Sequence, residues 1–182
     1  MLEIATIVEQ YRSFEFRVGR LMQDICVPFC MACRTPCCRV GICREAHESP
    51  FLHAVHGAII DFDERHGYLS GNGCKLTSGR PPVCHAYICH RILAGQADDV
   101  RRYAIECLGN LVGFIGKRAW NGRHLVEALT DDDLRKVNNR QFSQQLQIAE
   151  TALPILEAIL HHGILEDQAM SALDRIRKFP ST

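Results

Sequence analysis

Apolar residues at Ile4, Ile7, Val8, Tyr11, Phe14, Val18, Leu21 and Met22 recur three and four positions apart. That is the period of one buried helical face, and it predicts an amphipathic helix over about 3–23. The pattern then stops. Residues 25–48 show no sustained period and carry Pro28, Pro36 and Gly41, so they are expected to form an irregular loop with short turns. Periodicity returns after Ser49-Pro50, a cap residue followed by proline at the first helical position. There Leu52, Val55, Ile59 and Phe62 form the stripe of a helix that runs to about Gly67. The stretch SGNGCKLTSGRPP follows, with Asn72-Gly73 as its strongest tight-turn signal, and it is compatible with either a short hairpin or a loop.

The second half of the chain is more regular. Val100, Tyr103, Ala104, Cys107, Leu108, Leu111, Val112 and Ile115 mark a helix over about 97–117, with Asp98 and Asp99 at its positive end. Thr130 followed by three aspartates is a helix start in which Asp133 reaches back to the cap. A long helix over about 140–161 buries Leu146, Ala149, Leu153, Leu156 and Leu160, is expected to kink near Pro154, and stops at Gly163. A short helix at 167–178 completes the set.

These elements predict a mainly α fold. It is a helical bundle carrying two irregular cysteine-rich loops, 25–48 and 70–92, separated by one helix of about five turns. The length of 182 residues fits a single domain over 1–182. Within it, 26–92 form a cysteine-cluster module and 93–182 a helical segment.

Composition adds one outlier to an ordinary globular profile. Apolar residues are 47% and charged residues 23%, yet cysteine occurs ten times. Lys+Arg and Asp+Glu number 21 each, so no net basicity draws the chain to nucleic acid or anionic lipid, and neither partner is expected. The N-terminus lacks the basic and apolar regions of a signal peptide, and no apolar run approaches a membrane span. A cytoplasmic location is therefore expected, where thiols stay reduced and a disulfide framework is uncommon.

The thiols thus point to metal. The first loop supplies Cys26, Cys30, Cys33, Cys37, Cys38 and Cys43, and the second supplies Cys74, Cys84 and Cys89. Zinc knuckles come in pairs of C-x2-C, whereas Cys30-x2-Cys33 has no second such pair. Iron–sulfur clusters accept wider spacings because their ligands attach to several irons, which favours a cluster, with zinc the alternative. Arg34, Arg39, Arg44, Lys75, Arg80 and Arg91 lie near these thiols. They either offset thiolate charge or are solvated loop charges. Cys26-x3-Cys30-x2-Cys33 also has the spacing of the radical-SAM motif. That motif requires a strand-rich partial barrel, which a helical chain does not supply.

A broader likeness emerges in NGCKLTSGRPPVCHAYICHRIL. It holds G-C-x-L at Gly73 to Leu76, R-P-x-x-C at Arg80 to Cys84, an aromatic at Tyr87, and Cys89. With the upstream Cys30, Cys33, Cys37 and Cys38, this resembles the YkgJ-type cysteine-cluster family, to which zinc or iron chelation is ascribed. The resemblance covers about 26–92 and implies metal chelation, an iron–sulfur cluster (4Fe-4S) being the form it suggests; it implies no reaction. One extra residue before the paired cysteines and the additional Cys26 and Cys43 depart from the family pattern. The expected metal ligands are Cys30, Cys33, Cys74 and Cys84, followed by Cys37, Cys38 and Cys89.

His85 and His90 directly follow cysteines and are candidate ligands or proton donors. His53 and His56 share a helical face and are expected to be structural, while His161 and His162 suit a helix C-terminus. Cys107 lies on an apolar stripe and is expected in the core. No catalytic residue is identifiable. The expected function is iron–sulfur cluster binding in a redox, electron-transfer or maturation role, with a protein partner acting as electron donor or acceptor. The alternatives are a structural zinc module that supports a protein-interaction surface, and a cluster-dependent enzyme of unknown substrate.

Overall fold

The computed structural model describes residues 4–31, 33, 38–57, 60–70, 73–128 and 130–177. The fold is mainly α. Helices α1 (Ile4–Cys30), α2 (Val40–Glu48) and α3 (Pro50–His56) precede a two-stranded antiparallel hairpin, β1 (Leu69–Ser70) and β2 (Gly73–Cys74). Then come α4 (Pro82–Ala86), α5 (His90–Ala94), α6 (Asp99–Gly116), a 3-10 turn at Leu125–Glu127, α7 (Asp131–Arg135), α8 (Asn139–His162) and α9 (Asp167–Arg177).

Helix α6 is the axis of the core: α8, α9, α4 and α1 all pack on it. Its apolar stripe, Ile105, Leu108, Leu111, Val112 and Ile115, is fully buried, because α6 meets neighbours on several sides rather than one. Glycine at 109 lets α4 approach closely. A Cβ there would lie 2.7 Å from the carbonyl oxygen of His85, so any larger residue would push α4 away.

The helix starts are set locally. Ser49 Oγ accepts from Leu52 N at 3.3 Å and donates to Val126 O at 2.9 Å, so one hydroxyl both caps α3 and ties it to the 3-10 turn. Asp98 accepts from Arg101 N at 2.7 Å at the start of α6. Thr130 and Asp133 form the expected capping box of α7. Gly163, at φ 70°, ends α8 in the left-handed conformation.

Several boundaries differ from expectation. Helix α1 continues through Pro28 to Cys30, so Cys26 and Cys30 are helical. Pro28 has no N–H to donate within that helix, and the helix nonetheless continues past it. Residues 40–48 are helical as well, which removes them from the first loop. The helix expected between the loops is only α3, ended by Gly57 at φ 68°; Ile59 lies outside the described residues. The second loop contains the hairpin, α4 and α5. Helix α8 continues through Pro154. No single helix among the described residues is long and apolar enough to cross a membrane.

Candidate metal centre

Apart from Cys107 in α6, the described cysteines fall into two groups. Cys26 and Cys30 lie four residues apart on the last turns of α1, a spacing that places them on one face. The end of α1 packs against α5, where Phe29 lies 2.4 Å from the position a Cβ on Gly95 would take. Cys89 is the N-cap residue of α5. Cys33 follows α1 and donates its N–H to Cys30 O at 3.0 Å.

The second group is assembled from three separate segments. Cys84 stands on α4, Cys74 on β2, Cys38 just before α2, and Cys43 in the first turn of α2. Burial and then the neighbouring Cys74, Cys38 and Cys43 push the Cys84 thiol up to about 12, opposed by the Arg80 guanidinium. Cys84 is open at its surface but enclosed on its other sides, which accounts for both its accessibility and its reluctance to ionise. Tyr68, its ring fully buried, is also raised, by burial and by Cys43 and Cys74. Cys43 is therefore a member of this group that the expected ligand set left out. Its only sequence signal was the loose Cys38-x4-Cys43 spacing.

Of the expected ligands, Cys38 and Cys74 are brought within electrostatic range of Cys84. Cys30, Cys33 and Cys89 are not among the groups acting on Cys84. Cys37 and Arg34 lie outside the described residues. Among those described, no three His, Cys, Asp or Glu side chains stand close enough to hold one metal ion. The donor chemistry suits zinc or an iron–sulfur cluster, and a closed site requires the thiols to draw further together.

A buried carboxylate braces the Cys84 segment. Glu15, 1% exposed, sits on the otherwise apolar face of α1. It accepts from Gly79 N at 2.7 Å, Arg80 N at 2.9 Å and His85 Nε2 at 3.1 Å. His85 itself is 3% exposed. A buried carboxylate needs such donors to offset its lost hydration. Gly79 adopts φ 74°, and a Cβ there would meet Leu52 O at 2.7 Å, so glycine is required where the backbone turns its amide to Glu15.

The other histidines divide. His90 opens α5 and is exposed. His47, His53, His56, Phe62 and Tyr68 form a chain of ring contacts with centroid separations from 4.6 to 6.5 Å. This places His53 and His56 in a structural cluster and adds His47, whose Nδ1 lies 3.5 Å from Tyr68 OH. His161 and His162 occupy the last turn of α8. Cys107 is buried in the core, and burial pushes its thiol up to about 11.

The cations near the thiols have mixed partners. Arg44 pairs with Glu64 at 2.8 Å, and Arg80 Nε donates to Leu76 O at 2.8 Å. Arg39, Lys75 and Arg91 are exposed. The β1–β2 hairpin is the whole sheet among the described residues, so the partial barrel that the radical-SAM spacing requires is not formed by them. Comparison with family models, curated proteins and solved structures returns no match.

Proposed function

We propose that this chain is a cytoplasmic metal-binding protein whose cysteines hold an iron–sulfur cluster. The observation that carries this reading is that Cys84, on α4, lies within electrostatic reach of Cys74 on β2, Cys38 just before α2 and Cys43 on α2. The Cys84 thiol in these surroundings resists ionisation without a counter-charge. A metal supplies that charge and converts mutual repulsion into ligation. Ligands drawn from widely separated segments suit a cluster with several irons, and the resemblance of residues 26–92 to the YkgJ-type family points the same way. Cys30, Cys33, Cys37 and Cys89 supply further ligands or a second centre. The function that follows is redox, electron transfer or cluster maturation with a protein partner.

Anaerobic purification followed by optical spectra and iron, sulfide and zinc analysis tests this proposal. A cluster gives broad absorbance near 400 nm with bound iron and sulfide. Colourless protein with stoichiometric zinc replaces it with a structural zinc module. Cys84→Ser and Cys74→Ser are each expected to lose most of the bound metal; undiminished metal in both variants sinks the assignment of these thiols.

A further inference from the structure

We infer that Glu15 is a positioning residue for the thiol site: through Gly79, Arg80 and His85 it holds the segment that carries Cys84. The support of a metal site rests on the proposed function; the clamp itself rests on geometry alone.

Three observations carry the inference. Glu15 is a carboxylate within the apolar face of α1, flanked by buried Tyr11, Phe14 and Val18, where packing alone would favour an apolar residue. All three of its observed donors belong to the seven residues 79–85, which end one position past Cys84. The two amides and the imidazole approach from both ends of this segment, so one carboxylate fixes both where it begins and where α4 stands. A residue serving only to fill the core would show no such concentration of donors on one short segment. Arg12, one turn earlier on α1, does the same for α3: its guanidinium donates to Val55 O, and its Nη2 lies 2.7 Å from Ala54 O. The polar residues of α1 thus anchor the elements on either side of the hairpin that carries Cys74.

Glu15→Gln keeps the shape but replaces one acceptor oxygen by an amide that cannot accept from these donors. Two measurements follow on the full chain. Alkylation by iodoacetamide, mapped by mass spectrometry, is expected to quicken about tenfold at Cys84 while Cys107 in α6 stays protected. Zinc affinity, titrated on the reduced apoprotein, is expected to fall at least tenfold. His85→Gln, which keeps an N–H donor, should stay close to wild type in both, and His85→Leu should shift both in the direction of Glu15→Gln. A general loss of packing would instead expose Cys107 as well. Cys84 reactivity and zinc affinity within twofold of wild type in Glu15→Gln overturn the inference. If that variant does not fold, the His85→Gln and His85→Leu pair decides, and equal behaviour of the two overturns it. If the wild type takes up neither zinc nor iron, the proposed function fails while the alkylation measurement still decides the clamp.

Discussion

The two halves of the chain are both helical but are held in different ways. Helices α6 and α8 span 18 and 24 residues, start at side-chain caps and bury continuous apolar stripes. Helices α2 to α5 span 9, 7, 5 and 5 residues, lengths at which an isolated helix is marginal in water. The second set exists because other parts of the molecule hold it. Glu15 and Arg12 reach across from α1, Ser49 bonds to Val126, and Gly109 lets α4 lie close against α6. The cysteine half is therefore a dependent structure built on the α1–α6–α8 core, an arrangement that lets its thiols be adjusted without disturbing that core.

The comparison is most severely tested from the core side. Leu111→Ala, at a fully buried position on α6, is expected to cost about 3 kcal/mol. In urea denaturation it should lower the stability of both halves together; a shift confined to the C-terminal half would mean that the cysteine half folds independently. Gly79→Ala acts from the other side, forcing a Cβ against Leu52 O at φ 74°. It is expected to cost about 2 kcal/mol, with hydrogen exchange quickening in α3 and α4 but not in α8.

Acid offers a gentler probe. Burial pulls the His124 imidazole down to about 4 from 6.5. Its Nε2 donates to Gly113 O at 3.0 Å and its Nδ1 accepts from Val126 N at 3.2 Å. Below pH 6.5 the unfolded chain takes up a proton that the folded chain refuses, so stability falls as pH drops from 6.5 toward 4. The expected loss is about 1 kcal/mol after allowing for solvent near a partly exposed ring. His124→Gln should flatten that slope in thermal unfolding, even though it lowers stability at neutral pH. The smallest effect belongs to the exposed cap of α7: Thr130→Ala is expected to cost about 0.5 kcal/mol, read as fraying of α7 with the cysteine half unchanged. Faster exchange in α4 would contradict the separation of the two halves.

Legibility in the sequence follows the same division. The stripes of α1, α6 and α8, the caps at Ser49 and Thr130, the acidic start at Asp98 and Asp99, and the stop at Gly163 are local signals and are realised, with Leu160 only half-buried. Helices α2, α4 and α5 were invisible, since five to nine residues show little periodicity. The extension of α1 was hidden by Pro28, a residue that ordinarily ends or kinks a helix. At the site, cysteine as donor type was evident from composition, and Cys38, Cys74 and Cys84 fell within the expected set. Cys43 did not, because spacing along a chain does not report which turn of α2 faces the hairpin.

Sequence alone determined the helical character, the positions of the long helices and the concentration of thiols in 26–92, because each depends on residues close together in the chain. Only the tertiary structure decided which thiols come within electrostatic reach of Cys84, and that a glutamate on an apolar stripe holds the segment carrying it. Glu15 lies 64 residues from Gly79 and 70 from His85. A hydrogen bond over that separation is created by how α1 packs beside α3 and α6 while α6 carries α4, and no local pattern encodes it.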